Sequence, residues 1–197
     1  MTKEAFFQNI LGLRDPKVVT KLVRASRLAK VSKGEIVVEL HEIQQELMFV
    51  IDGVLRGSCI DIQGREYTDC FAVDCGAPIL ASMSVGEPAT IRVEALKDSE
   101  MLFIPMITVE ELLQESLEVN HLYIALLTEA LRKHWELKMI FYRYSAGEKY
   151  QWFLDRYPEL KSLVPQKYIA TYLHMTPETL SEEKRKRKEA KRKSSLL

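Results

Sequence analysis

Three cysteines, Cys59, Cys70 and Cys75, are the whole thiol complement of this 197-residue chain. Their odd number and the lack of any C-x-x-C pair argue against a disulfide framework and a thiolate zinc site. Small hydrophobic thiols, buried or half-buried, are the reading that remains. Histidine is nearly as sparse: of four, only His41 falls in the β-rich part, while His121, His134 and His174 fall on expected helices or a turn. A metal centre needs several such donors converging, and catalysis needs nucleophile, base and orienter together. No catalytic or metal residue is assigned, no cofactor is expected, and the chain does not read as an enzyme. No run of eighteen apolar residues exists, so no membrane helix is expected. The opening "MTKEAFFQNILGLRDP" has an early acid and no small-residue cleavage site, so a signal peptide is not expected and cytoplasm is the default.

Net charge is also missing, but only in sum. Basic and acidic side chains number 28 each. Eight of the ten residues from Lys184 to Lys193 are Lys or Arg, and one is acidic. An acidic body with a basic arm follows, and such an arm is either a solvated tail or an anion-binding one.

Glycine and proline are few, and they punctuate. Residues 1–28 read as short helices, the second opened by Pro16. From about Arg27 to Pro105 the texture is β-rich: "GEIVVEL", "LMFVIDGVLRGSCI", "REYTDCFAV" and "IRVEALKDSEMLFI" read as strands, with tight hairpins at Asp52-Gly53 and Gln63-Gly64. Short strands at this spacing mean an antiparallel sandwich or barrel. Thr108 reads as a helix cap with Glu110 and Glu111 in its first turn. From Leu117 to about Tyr144 there is neither glycine nor proline, and the apolar stripe is too wide for one buried face. Packing on the β-domain and on a second copy would bury it, as in a two-fold homodimer. A further helix is expected over Glu148–Tyr157, stopped by Pro158.

The segment "VPQKYIATYLHMTPETLS" has the spacing of a helix-turn-helix. Ala170 is the small residue where two helices cross, Ile169 and Leu173 flank it, and Leu180 is the second helix's apolar contact. His174 stands at a turn position often held by Gly. Pro177 opens the second helix with Thr176 as cap. An ordinary helical hairpin shares much of this pattern and stays open as an alternative.

These residues resemble the C-terminal motif of the Crp/Fnr superfamily of bacterial transcription regulators. "VSKGEIVVE", "FVIDGVLRGSC", "GREYTDCF" and "EPATIRVEALKDSEMLFIP" stand in that family's order, from about residue 5 to residue 185. The resemblance implies an α+β fold: an N-terminal antiparallel double-stranded β-roll, jelly-roll-like, of cyclic-nucleotide-binding type over 1–116, a long dimerisation helix over 117–144, and a C-terminal winged helix-turn-helix over 145–197. It implies double-stranded DNA as partner, met by Gln166, Thr176, Pro177, Glu178, Thr179, Ser181, Lys184 and Arg185.

The chain departs from the family in two places. Family members that bind cyclic nucleotides use a Gly-Glu pair for the ribose and an Arg-Ser or Arg-Thr for the phosphate. Here no carboxylate stands between Asp74 and Glu87 and no arginine between Arg65 and Arg92. Ala89 and Thr90 occupy the arginine and hydroxyl places. A cyclic phosphate buried without its cation is costly, so cAMP or cGMP sensing is not expected. The apolar and thiol residues Phe71, Cys70, Cys75, Ile79, Leu80, Met83, Ala89, Thr90 and Tyr123 are candidates for lining a pocket for a small apolar or aromatic effector; the alternative is that they are simply core. After "TLS", Glu182 and Glu183 stand where the family has an arginine and an apolar residue. They favour a rival reading, a degenerate ligand-binding or protein-interaction module without sequence-specific DNA binding.

Overall fold

The computed structural model describes residues 1–82 and 86–194. Two four-stranded antiparallel sheets carry the β-rich part. One orders β1 (Arg27–Val31), β8 (Ser99–Pro105), β3 (Glu46–Asp52) and β6 (Pro78–Ile79); the other orders β2 (Ile36–Val38), β7 (Arg92–Ala95), β4 (Leu55–Ile60) and β5 (Glu66–Ala72). Alternation along each strand sorts the faces. Leu55 opposite Ala95 and Gly57 opposite Val93 face the core shared with Val38, Val50 and Met101. Arg56 opposite Glu94 takes the other face, where a 2.8 Å ion pair holds an arginine only 1% exposed.

The turn at Asp52-Gly53 is not a hairpin. Both edges of β3 are taken, by β8 and β6, so the chain leaves Gly53 for the other sheet, where β4 pairs with β7. A Cβ at Gly53 would collide with the Ser99 side chain, so the crossing needs glycine. The Gln63-Gly64 turn does join the neighbouring strands β4 and β5. The Asp61 carboxylate accepts the amides of Arg65 (2.9 Å) and Gln63 (2.8 Å) across it, and those bonds, Arg65's first, hold its carboxyl below the usual range.

On the first sheet's outer face, Leu47, Phe49, Leu102 and Ile104 meet a helical layer through Phe6, Phe7, Val19, Leu22, Leu112 and Val119. The layer contains α1 (Lys3–Ala5), which runs into a π turn over Phe6–Ile10, α2 (Pro16–Ala25), capped by Asp15, and α3 (Met106–Glu115). Thr108 is not the cap of α3. Pro105 holds that place and Thr108, the helix's third residue, is buried. The long helix α4 spans Leu117–Arg143, one residue short of the expected end.

The chain divides into two compact units: residues 1–59 with 69–131, and residues 60–68 with 132–197. The second unit holds α5 (Ala146–Arg156), α6 (Leu160–Leu163), α7 (Gln166–Tyr172) and α8 (Pro177–Ser194). Helix α5 begins two residues before the expected Glu148, because Ser145 and Glu148 form a reciprocal capping box. Phe153, Leu160, Ile169, Ala170, Leu173 and Leu180, none more than 3% exposed, are its core. No strand follows β8 among the described residues; where the resemblance implies a wing, α8 continues as helix through Ser194.

Candidate functional site

The helix-turn-helix spacing corresponds to real helices. Ala170 (0% exposed) is buried on α7, which packs on α8, and Leu180 (1%) is the buried apolar residue of that second helix. His174 adopts the left-handed conformation, φ +52°, at the end of α7. The His174 amide donates to the Thr171 carbonyl at 3.2 Å and the Met175 amide to the Ala170 carbonyl at 2.9 Å, the bond pair of a Schellman ending. A β-carbon makes that conformation cost about 1–2 kcal/mol, and ring contacts offset it: His174 packs on Phe141 at 4.3 Å and Tyr67 at 6.3 Å between centroids. Thr176 caps α8 by accepting the Thr179 amide at 3.2 Å.

Rotation of α8 sorts the expected DNA residues. Gln166, Thr176, Pro177, Glu178, Ser181 and Arg185 are exposed; Thr179 is half-buried, its hydroxyl 3.1 Å from that of Thr176. Backbone amide bonding at the helix start and the Thr176 hydroxyl hold the Glu178 carboxyl below its usual range. Lys184 is half-buried, on the flank nearest the packed face of Leu180. Glu183 stands apart from these residues. Its side chain is only 17% exposed, its carboxylate stands beside Gly147 in the first turn of α5, and Lys186 pairs with it at 2.9 Å. It therefore fills the apolar residue's place with a helix-terminus contact and is not a groove-facing acid. Glu182 does remain exposed, 3.3 Å from Lys186. Sequence pattern alone carries no signal for the Glu183 contact, since it depends on where α5 begins.

The effector residues do not converge. Ile79 and Ala89 belong to the sandwich core; Phe71 is buried, and Leu80 packs on the helical-side core. Thr90 is exposed, its hydroxyl donating to the Ala81 carbonyl at 3.2 Å, and Cys75 is exposed. Met83 lies outside the described residues. Tyr123 alone of the set lines a cavity of ≈ 40 Å³, with Phe7, Leu22, Phe49, Leu112 and Leu126. The half-buried Cys70 sets its sulfur against Gly57, and desolvation of that thiol pushes it up to about 12. The one fully buried cation, Arg56 among the described residues, is committed to Glu94, and Arg92 faces Glu39 at 3.5 Å.

A sandwich with helices on one sheet, a long helix and a helix-turn-helix define the class of protein to which this chain's fold belongs. The chain has the fold of the Crp/Fnr regulators. A chain assigned to that family of transcriptional regulators from Eubacterium rectale is 18% identical, with TM-score 0.72, over 91% of this chain and 84% of that one. FixK2 from Bradyrhizobium japonicum is 18% identical, with TM-score 0.71, over 82% and 83%. The c-di-GMP responsive global regulator CLP from Xanthomonas campestris is 13% identical, with TM-score 0.69, over 89% and 93%. No protein-family model matches the sequence, and no curated protein matches it.

Proposed function

We propose that the chain is a DNA-binding transcriptional regulator of Crp/Fnr type. In this reading residues 1–116 are a sensor roll, 117–144 a dimerisation helix and 145–197 the DNA-binding part. The observation that carries it is the α7–turn–α8 unit: a buried small residue at the crossing, a Schellman turn, a capped second helix, and an exposed face of Glu178, Ser181, Glu182 and Arg185. That face can meet base edges and phosphates in a major groove. Exposed Leu117, Ile124, Leu127 and Leu131 on α4 recur at coiled-coil spacing, exposed Trp135 follows one turn on, and together they support a two-fold homodimer.

The effector is not a cyclic nucleotide in this reading. Ala89, at the place of the phosphate arginine, is 1% exposed, and Arg56 and Arg92 face carboxylates. The cavity beside Tyr123 has an apolar lining that suits a small apolar effector, and at ≈ 40 Å³ it must open to admit a ring. Such a ligand would act by favouring one arrangement of α4 over another.

Exposed Glu182 keeps the rival reading of a module without specific DNA binding in play. Glu182→Arg separates the two. If the face meets DNA, removing an acid and adding a phosphate contact raises duplex affinity and steepens the salt slope by about one. If it does not, neither quantity moves.

A further inference from the structure

The cations of α8 divide into two sets. Arg185 pairs with Glu189 at 3.3 Å, Lys186 with Glu182 and Glu183, and Arg187 with the Gln151 side-chain carbonyl. Lys184 and Lys188 have no acidic partner among the described residues, and neither does Lys161 on α6. Residues four apart lie one above the other on a helix, so Lys184 and Lys188 share a flank. At 100° per residue that flank lies between the packed side of Leu180 and Arg187 and the exposed side of Ser181 and Arg185.

Lys184 is half-buried, whereas Lys161 and Lys188 are exposed. Its burial, then the like charges of Lys188 and Lys161, hold the Lys184 ammonium below the ordinary lysine value. The like charges of Lys161 and Lys188 thus act on Lys184 with no acidic partner among the described residues to offset their repulsion. An anion with several oxygens, placed among them, turns that repulsion into attraction.

We propose that Lys161, Lys184 and Lys188 form a phosphate seat that holds the sugar–phosphate backbone of a duplex beside the base-reading face of α8. The inference rests on the DNA-binding reading and adds a division of labour to it. Glu178, Ser181, Glu182 and Arg185 face the bases, while α6 and the flank of α8 fix the helix against the strand. The paired cations Arg185 and Lys186 contribute less to salt dependence, because each must leave an internal carboxylate to meet a phosphate.

The test compares the full-length protein with two triple variants of equal charge change. One is Lys161→Gln, Lys184→Gln and Lys188→Gln; the other is Lys17→Gln, Arg24→Gln and Lys33→Gln, three exposed cations of the other unit. Thermal unfolding first establishes that both fold. Binding to a random duplex is then measured across salt concentrations. The seat predicts that the first variant flattens the slope of log K against log salt by about 2 to 3, and that the second changes it by less than about 0.5. Equal changes in the two variants overturn the seat while leaving the DNA reading intact. If the native protein binds no duplex, the DNA reading fails, and titration with tripolyphosphate decides the seat. Binding lost only in the first variant keeps it as a site for free phosphate anions; no binding, or equal binding by both variants, rules it out.

Discussion

Glu183 of α8 and Gly147 of α5 fit together through a missing side chain: a Cβ on Gly147 would stand 2.8 Å from the Glu183 carboxylate oxygen. Gly147 is the second residue of α5, so the acid lies against the positive end of that helix. Leu180 is the buried apolar residue of α8 among the described residues, and Glu183 adds a charged contact to the helix seating. Gly147→Ala should therefore depend on its background. Alanine in a helix gains roughly 0.5–1 kcal/mol over glycine. That gain should appear in a Glu183→Ala protein and be lost in the native one, where the carboxylate must move away. Urea unfolding of the four members of the cycle measures the coupling, and equal effects of Gly147→Ala in both backgrounds contradict the contact.

The turn residue His174 gives a second expectation. At φ +52° a β-branched side chain is badly strained, whereas glycine is not. His174→Val should destabilise the second unit by more than about 2 kcal/mol. His174→Gly should stay within about 1 kcal/mol of the native protein, trading relief of strain against lost ring contacts with Phe141 and Tyr67. Denaturant midpoints of the two variants decide it.

Arg56 and Glu94 give a third. Arg56 is almost wholly buried, so removing Glu94 takes away the carboxylate that faces a cation held out of water. Glu94→Ala should cost about 3 kcal/mol, and the double change Arg56→Met with Glu94→Leu should recover most of it. If Glu94→Ala is neutral by chemical denaturation, the pair does not matter to the fold.

Thiol reactivity follows from burial. Cys75 is exposed and Cys70 carries a thiol pushed up to about 12. A disulfide reagent at pH 8 should label Cys75 in the folded protein and reach Cys70 only on unfolding. The fold favours the neutral Cys70 thiol, so this contribution is complete below the ordinary thiol value near 9.0 and fades as pH rises toward about 12. Mass spectrometry of labelled peptides reads the order, and rapid labelling of Cys70 in the native state refutes it.

Much of this architecture is legible in the sequence where local chemistry alone decides it. Helix α4 ends within one residue of expectation, because no breaker falls between Leu117 and Tyr144 and the run leaves no other option. The α7–α8 pair is legible through Thr176 and Pro177, each of which fixes a boundary by its own capping or backbone chemistry. Where pairing partners decide, the sequence is silent. Asp52-Gly53 marks a bend truly, but whether the next strand pairs with the last depends on β6 and β8 having taken both edges of β3. The two-residue β6 and the single turn of α6 are too short to carry periodicity. The contact of Glu183 depends on where α5 begins, which no local pattern around Glu183 reveals. The effector residues share apolar character, and that alone cannot separate a pocket from a core; Ile79 and Ala89 turned out to be core.

The proposed dimer predicts that Leu131→Asp weakens self-association by more than tenfold, about 1.4 kcal/mol, because Leu131 lies on the exposed apolar stripe of α4. Sedimentation of the native protein and the variant over a range of concentrations checks it. A native protein that is monomeric throughout contradicts the stripe's assignment.

The most direct measurement is selection of duplexes from a random DNA pool by the full-length protein at near-physiological salt. The account predicts enrichment of one motif with two-fold symmetry, its half-sites about one helical turn apart. Binding that enriches no sequence and only declines with salt would contradict it, leaving the basic arm as a general polyanion binder on a regulator-like fold.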